Sequence, residues 1–351
     1  MDTVRVGLIG AGWMGVVHAQ SWQANAPRGE IVAVADVSGS RTQHIADRFT
    51  GGRARVHAEL DSLLTDPSVD AVDICLPHHL HVDAILRAAR AGKAIMCEKP
   101  LCTSLEDAAA IRRAIHETGV TFMAAHNQLF QPSLAEARRL LTQGVIGRPF
   151  VYRSIEVGQN RMFASGQPPV EMGAGESSFS WRVDPRRMGG GEVLDTGWHA
   201  TYRLLALANE RPVEVMAMTH RYFVEQLAVE DTGLVLVRFA SGAIGEIVTS
   251  WAFGLAGGWQ FEIGAELGSI AGNARKIVHQ IYGWPAPAER VNDPVSTYTL
   301  EITHFLNVVQ RGETLLPTVD QASRVLQIIQ AAYRSAAEHR AVALLEEPTE
   351  L

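Results

Sequence analysis

The 351-residue sequence predicts an α/β fold: a doubly wound parallel sheet followed by an α+β domain with a large, mostly antiparallel open sheet. Two observations carry this prediction. Short apolar runs alternate with amphipathic helical patterns through the first 125 residues, as they do in a parallel sheet covered by helices. Beyond that point, strand-like runs follow one another with few helices between them, which favours antiparallel pairing. We therefore expect two domains, at residues 1–125 and 126–351.

Nearly continuous apolar runs mark the strands of the parallel sheet, because strands that are buried on both faces need not alternate. One segment between them has the helical period, with Val82, Ile85, Leu86 and Ala89 at i, i+3, i+4 and i+7. The predicted strands are Val4–Ile9, Ile31–Asp36, Ala71–Leu76, Ala94–Cys97 and Thr121–Ala125.

The second domain is predicted to open with a helix over Leu134–Gln143 that Gly144 closes. Ser241-Gly242, between two strand-like runs, is a hairpin signal. Pro317 stands where the first turn of a helix tolerates proline. The predicted strands are Val213–Phe223, Gly233–Phe239, Ala243–Phe253 and Gln260–Gly264, and the closing helices are Tyr298–Gln310 and Pro317–His339.

Composition and charge exclude several classes of protein. The chain is 47% hydrophobic and 20% charged, which is too apolar for a disordered protein. A net charge of −7 without basic blocks argues against nucleic acid as a partner. Cys75, Cys97 and Cys102 are too few for a disulfide framework and suit a reducing compartment. We see neither a signal-peptide core nor an apolar run long enough for a membrane helix, and we expect a cytoplasmic protein without membrane partners.

A dinucleotide-binding pattern stands between the first strand and the first helix. Gly10-Ala11-Gly12-Trp13-Met14-Gly15 fits G-x-G-x-x-G, and Asp36 follows Gly15 by 21 residues, at the end of the second strand. The glycines allow a tight turn and let phosphates approach the helix N-terminus. The Asp36 carboxylate would bind ribose hydroxyls and repel a 2′-phosphate, so NAD is expected rather than NADP. Arg41 is a nearby cation that could accept that phosphate.

Two further groups of residues could carry chemistry. Glu98-Lys99-Pro100 ends the fourth strand, where ligands of parallel sheets bind, although the tripeptide alone is equally consistent with a surface turn. If this segment is helical, Asp195 and His199 share one face of the helix, at i and i+4. A carboxylate that orients an imidazole is the pairing of a general base, but the same spacing also occurs at a structural helix start.

Histidines and glycines form two other notable segments. Pro77-His78-His79-Leu80-His81 lacks the carboxylate or cysteine spacing of a metal site, so no metal is expected. We expect His81 to start a helix and His78 to lie near the cofactor. Gly158–Gly191 is rich in glycine and proline, and a connection of this length is typical of a lid or binding loop, or else of a disordered segment.

Taken together, these motifs resemble the glucose–fructose oxidoreductase/inositol dehydrogenase (Gfo/Idh/MocA) family, and the resemblance runs through most of the chain. The matching residues are Gly10–Gly15, Asp36, Leu76-Pro77 with His81, Glu98–Leu101, Gly144 with Gly147, Trp181-Arg182, Gly189–Gly191, Asp195 with Gly197 and His199, Glu301–Gly312 and Ala331–Ser335.

The resemblance implies a Rossmann domain and NAD(P)-dependent oxidation of a sugar or cyclitol hydroxyl, or the reverse reduction. It places Lys99 beside the reacting hydroxyl, with Asp195 next to it and His199 as the usual base. We expect residues 126–351 to bind substrate. Because Gly233–Phe239 and Ala243–Phe253 are apolar at both odd and even positions, we also expect one face of their sheet to pack on a second subunit of a homodimer or homotetramer. The cofactor contacts that the resemblance implies are Gly10, Gly12, Trp13, Met14, Gly15, Asp36, Arg41, Leu76, Pro77, His78, His81, Glu98, Lys99, Asn127, Trp181 and Arg182.

Two positions depart from the family pattern. Tyr202 stands where many members have an aspartate three residues after the catalytic histidine, and Leu129 stands where many have an arginine. Both departures leave the substrate open. A redox-neutral enzyme of glycosidase or lyase type, with tightly held NAD, would show the same motifs and is the alternative.

Overall fold

The computed structural model describes residues 3–159, 180–223, 228–255 and 258–344. The chain forms two compact units. The first contains the chain up to Asn127, the segment that ends at Gly189, and Ser296–Ser323; the remainder belongs to the second. The division near Asn127 lies close to the expected boundary, whereas the inclusion of Ser296–Ser323 in the first unit differs from the expected division.

A six-stranded parallel sheet forms the centre of the first unit, as predicted. Its strand order is β3-β2-β1-β4-β5-β6. The sequence did not indicate β3, because this strand has only three residues and none of them is buried. The strands are β1 Val4–Ile9, β2 Gly29–Ala35, β3 Arg55–His57, β4 Ala71–Ile74, β5 Ala94–Glu98 and β6 Phe122–Ala125.

Some of the described helices begin at a residue whose side chain accepts a backbone N–H, namely those capped by Ser104, Asp184 and Ser296. Ser104, for example, accepts the backbone N–H of Asp107, and Gly119 adopts the left-handed conformation at the other end of the same helix. The helices are α1 Trp13–Ala24, α2 Gly39–Thr50, α3 Leu60–Leu64, α4 His81–Arg90, α5 Leu105–Thr118, α6 Pro132–Thr142, α7 Pro185–Met188, α8 Gly197–Ala208, α9 Thr297–Arg311 and α10 Val319–Glu338.

Helix α9 belongs to the first unit because its apolar face completes the core of that unit. Phe305 packs edge-on against Trp22 of α1, with ring centroids 6.2 Å apart. Both side chains are fully buried. At the surface of the same contact, Arg28 donates to the side chains of Asn307 and Gln310.

The second unit contains a nine-stranded sheet of order β14-β13-β12-β11-β7-β10-β9-β8-β15. Its strand pairs are antiparallel except for β7 with β10, which agrees with the expected mostly antiparallel sheet. The strands are β7 Pro149–Val157, β8 Pro212–His220, β9 Thr232–Phe239, β10 Ile244–Ser250, β11 Phe261–Ala265, β12 Gly268–Gly272, β13 Lys276–Ile281, β14 Ala288–Val291 and β15 Val342–Ala343.

The two faces of this sheet differ in burial although both carry apolar residues. In β9, Val235 and Val237 are buried, whereas Leu234 and Leu236 are 49% and 48% exposed. Helix α8 packs on β7 and β10 and covers the buried face. The opposite face therefore presents apolar side chains to solvent in this single chain. None of the helices that the structure describes is long and apolar enough to span a bilayer.

Candidate active site

The glycine-rich turn between β1 and α1 has the geometry that its pattern predicts. Gly10 has a φ of +98°, and a Cβ there would lie 2.4 Å from the carbonyl oxygen of Cys75. A Cβ on Gly15 would lie 2.1 Å from the carbonyl oxygen of Gly10. Around Gly12, by contrast, no atom lies within 4 Å of an added Cβ. The turn thus requires two glycines for its own packing and leaves open space at the third, beside the N-terminus of α1.

Asp36 closes this turn from the end of β2. One carboxylate oxygen accepts the backbone N–H of Ala11 at 2.8 Å, and the other accepts the N–H of Ser38 at 2.8 Å. The guanidinium of Arg41 lies 2.7 Å from the same oxygen that Ser38 contacts. The carboxylate is therefore held at the rim of the glycine turn, and Arg41 is paired with it.

His81 and His78 follow β4, as expected, but they have different partners. His81 starts α4, and its ring nitrogens lie 2.7 Å from the carbonyl oxygen of Pro100 and 2.8 Å from that of Leu76. Burial lowers the pKa of His81, although the two carbonyl contacts oppose this shift, and the ring links the two loops. The buried His78 places its Nδ1 3.0 Å from the Met188 carbonyl oxygen.

An aromatic pair extends this region of the first unit. The ring of His78 packs edge-on against Trp181 with centroids 4.5 Å apart, and the Arg182 guanidinium lies 4.5 Å from the centroid of the same indole. Trp181 and Arg182, expected as cofactor contacts, thus lie beside His78. Their role in holding a cofactor stays a prediction.

Lys99 lies at the carboxyl end of β5, where the sequence placed it. Its backbone N–H donates to the Glu98 carboxylate at 3.0 Å, and its side chain is half-buried. Burial, together with the charge of Lys99, lowers the pKa of His126 to about 3. The charge of Lys99 thus disfavours protonation of His126, and the Asn127 amide that follows donates to Thr297 at 3.0 Å.

In the second unit, Asp195 lies in the turn before α8 and not on the helix itself, which begins at Gly197. The expectation that Asp195 and His199 share one helix is therefore wrong in that detail. The turn is closed by backbone bonds from Asp195 to Gly191 and from Gly197 to Glu192. Asp195 is fully buried.

The preceding glycines allow Tyr333 to hold this turn. The Tyr333 hydroxyl accepts the N–H groups of Gly191 and Leu194 and donates to Glu230. A Cβ on Gly190 would lie 2.4 Å from that hydroxyl. Close backbone approach thus explains the glycines, and the turn that carries Asp195 is tied to α10.

His199 contacts Tyr202 on the same helix. Its Nδ1 lies 2.6 Å from the Tyr202 hydroxyl, which also accepts the backbone N–H of Gln128 at 3.2 Å. The position that departs from the family pattern thus touches the candidate base directly. A phenol can orient the imidazole as a carboxylate would, but it brings no negative charge.

A buried polar network that no sequence motif indicated adjoins Tyr202. Arg203 is fully buried and donates to Ser154, to Glu156 at 3.1 Å and to the side chain of Gln128. A signal was available, since Arg203 is a single charge within an otherwise apolar helix. Its partners are far away in sequence and could not be inferred.

Another buried acid that the sequence analysis did not single out lies near Asp195. Glu192 is fully buried and accepts the hydroxyls of Thr196 and Thr249. Burial raises the pKa of Glu192 well above its usual value, although the two hydroxyls oppose this shift. The candidate lid Gly158–Gly191 includes residues 160–179, which lie outside the described residues.

Comparison with known proteins agrees with this geometry. A family model described as "Oxidoreductase family, NAD-binding Rossmann fold" matches residues 4–126, and the GFO/IDH/MocA C-terminal domain matches residues 134–271. The NAD-dependent scyllo-inositol 2-dehydrogenase of Bacillus subtilis (strain 168) is 28% identical and covers 95% of this chain and 94% of its own length.

Two further relatives are similar over nearly the whole chain. The 1,5-anhydro-D-fructose reductase of Ensifer adhaerens is 31% identical over 95% of this chain and 88% of its own length. The crystal structure of GenD2 from gentamicin A biosynthesis, in complex with NAD, has a TM-score of 0.81 and 27% identity, covering 99% of this chain and 97% of that one.

Proposed function

Because this chain belongs to the GFO/IDH/MocA oxidoreductase family, we propose that it oxidises a secondary hydroxyl of a sugar, glycoside or cyclitol, or reduces the keto form. It is an NAD-dependent oxidoreductase. The substrate class follows from relatives that act on inositol and on anhydrofructose. The observation that carries the proposal is the retention of a polar set suited to proton transfer, namely Lys99 at the end of β5 and His199 on α8.

The first unit supplies the binding site for the cofactor. NAD, when bound, accepts or donates the hydride. The open side of Gly12 and the N–H groups at the start of α1 can receive the pyrophosphate, and Asp36 can accept the ribose hydroxyls. The residues present therefore fit this cofactor.

Lys99 and His199 handle the proton of the reacting hydroxyl. The imidazole of His199, oriented through Nδ1 by Tyr202, takes that proton during oxidation. The ammonium of Lys99 stabilises the alkoxide that develops on the same oxygen. Asp195 supports His199 from the adjoining turn.

The decisive experiment is turnover of a panel of sugars, glycosides and inositols with NAD and with NADP. A dehydrogenase accumulates NADH absorbance as product forms, and we expect at least one member of the panel to do so with NAD. Product that forms without NADH would instead support the redox-neutral alternative. Binding of NAD without turnover of any polyol would contradict both.

The exposed apolar face of the nine-stranded sheet supports a homodimer or homotetramer. Its side chains include Met218, which is 70% exposed, with Leu234 and Leu236 beside it on the neighbouring strand. Large exposed apolar patches are uncommon on monomers. All three cysteines are buried free thiols, which supports a reducing compartment such as the cytoplasm.

A further inference from the structure

A buried cluster of ionisable side chains adjoins Glu98 in the first unit. His18 of α1 is fully buried between two carboxylates from neighbouring strands. Its Nδ1 lies 2.8 Å from Asp73 at the end of β4, and its Nε2 lies 3.1 Å from Glu98 at the end of β5. The imidazole therefore bridges two strand ends of the parallel sheet.

The two carboxylates define the protonation state of this imidazole. An ionised carboxylate only accepts hydrogen bonds, so each ring nitrogen must carry a hydrogen. Burial alone would lower the pKa of His18, but the charge of Asp73 and its hydrogen bond outweigh this and hold the pKa well above its usual value. His18 is thus an imidazolium ion.

The other groups that face His18 are neutral. Burial raises the pKa of the Cys75 thiol and of the Tyr298 hydroxyl, whose ring lies 5.8 Å from the imidazole. Burial, together with the charges of Glu98 and Asp73, raises the pKa of Glu301 well above its usual value, although His18 opposes the shift. The imidazole of His18 therefore stands between the carboxylates of Asp73 and Glu98, in surroundings that favour the neutral forms of Cys75, Tyr298 and Glu301.

The ligand atoms of His18, Asp73 and Cys75 lie within 4.8 Å of one another, a spacing that could also suit a metal ion. The donor chemistry argues for a proton instead. Both ring nitrogens of His18 are directed at carboxylates, and the indole N–H of Trp22 donates to the same Asp73 oxygen at 2.7 Å. No lone pair of the imidazole is left for a metal.

Glu98 connects this cluster to Lys99. One of its carboxylate oxygens binds His18, and the other accepts the backbone N–H of Lys99 at 3.0 Å. We propose that His18 is a positioning residue, which holds Glu98 by an imidazolium–carboxylate bond and thereby fixes the backbone from which the Lys99 ammonium reaches the substrate. This inference rests on the proposed function of Lys99.

The first test removes the charge of His18. His18→Gln has both of its N–H donors on one nitrogen, so it cannot reach the two carboxylates as the two ring nitrogens do. It is expected to lower kcat by up to about 10²-fold, as a small misplacement of a catalytic group does. The KM for NAD is expected to stay nearly constant. His44→Gln, the same change at an exposed position of α2, is the matched control and should retain normal kcat.

A double-mutant cycle separates positioning from mere stability. If His18 acts through Lys99, adding His18→Gln to Lys99→Ala should cause little further loss of kcat. Losses that multiply would overturn the inference. If His18→Gln does not fold, Glu98→Gln replaces it, since its one amide oxygen cannot serve both His18 and the Lys99 N–H.

Two measurements need no substrate. The first is nitrogen NMR of histidine-labelled protein, in which the ring of His18 is identified as the one whose signals change in Glu98→Gln. At a pH above the ordinary pKa of histidine, both nitrogens of this ring should still be protonated. A neutral ring overturns the inference. Hydrogen exchange at the Lys99 amide should be faster in His18→Gln, or in Glu98→Gln, than in His44→Gln. Unchanged exchange also overturns it. Normal turnover of Lys99→Ala would overturn the proposed role of Lys99, while the NMR and exchange measurements would still test whether His18 holds Glu98 and the Lys99 backbone.

Discussion

Arg41 and Asp36 form an ion pair at the rim of the glycine turn, with Nη2 of Arg41 2.7 Å from the Asp36 carboxylate. The same carboxylate accepts the N–H of Ala11 inside the turn. Arg41, which could have bound the 2′-phosphate of NADP, is therefore paired with Asp36, whose carboxylate would repel that phosphate. From this pair we expect the chain to prefer NAD to NADP although an arginine lies nearby.

We expect Asp36→Ala to shift selectivity towards NADP, because it removes a charge-assisted contact to the ribose and releases Arg41. A hydrogen bond to a charged group is worth about 1.5–3 kcal/mol, so kcat/KM for NAD should fall roughly tenfold to a hundredfold. Steady-state kinetics with both cofactors checks this. The double variant Asp36→Ala/Arg41→Ala should lose NAD activity without gaining NADP activity; an equal gain would show that Arg41 is not involved.

Removal of either proton-handling group should slow turnover without weakening cofactor binding. His199→Ala and Lys99→Ala are each expected to lower kcat by about 10²–10⁴-fold, the usual contribution of general acid–base assistance. The dissociation constant of NAD, measured by fluorescence titration, should be nearly unchanged because the glycine turn and Asp36 hold it. Asp195→Asn should cost less than His199→Ala. Near-normal turnover of His199→Ala would assign the base to another residue.

Tyr202→Phe tests the contact that replaces the family's usual carboxylate. The variant keeps the ring but removes the oxygen that lies 2.6 Å from His199 and that accepts the Gln128 N–H. We expect kcat to fall by about tenfold, the equivalent of one hydrogen bond, with a changed pH profile of kcat. An unaltered pH profile would mean that Tyr202 does not act through His199.

The exposed sheet face predicts that a charge on it disrupts the assembly. Leu236→Glu is expected to reduce the mass measured by light scattering at micromolar concentration to that of one chain. Val295→Glu, at an exposed position outside the sheet, is the control and should leave the mass unchanged. A monomeric wild-type protein would contradict the proposal from the outset.

Glu301→Gln should make the free energy of unfolding less dependent on pH. Neither carboxylate oxygen of Glu301 has a hydrogen-bond partner in the described part of the chain, and burial raises the pKa of this acid well above its usual value. The folded state therefore binds a proton that the unfolded state releases, so this group lowers stability as pH rises above the unfolded carboxyl pKa. Urea unfolding between about pH 5 and pH 9 should show that the free energy of unfolding of the variant increases relative to that of the wild type as pH rises. A constant difference would mean that Glu301 is ionised when folded.

Several features of the site could be read from short stretches of sequence. The turn over Gly10–Gly15 needs positive φ and close backbone approach within six residues, and Asp36 follows at the end of the next apolar run. Lys99 could be identified as a candidate site residue because it follows a buried strand in sequence. These features are local because steric demands and strand patterning act between neighbouring residues.

Other features depended on the tertiary structure. His18 is 55 residues from Asp73 and 80 residues from Glu98 in sequence, and nothing in the local sequence patterns connects them. Helix α9 is amphipathic wherever it packs, and its contacts in the folded chain, such as that between Phe305 and Trp22, assign it to the first unit. The sequence by itself determined the glycine turn, most of the strands of the parallel sheet and the place of Lys99, because periodicity and backbone sterics are local. The tertiary structure decided which buried charges meet, because burial and hydrogen bonding are satisfied by whichever distant residues the fold brings together.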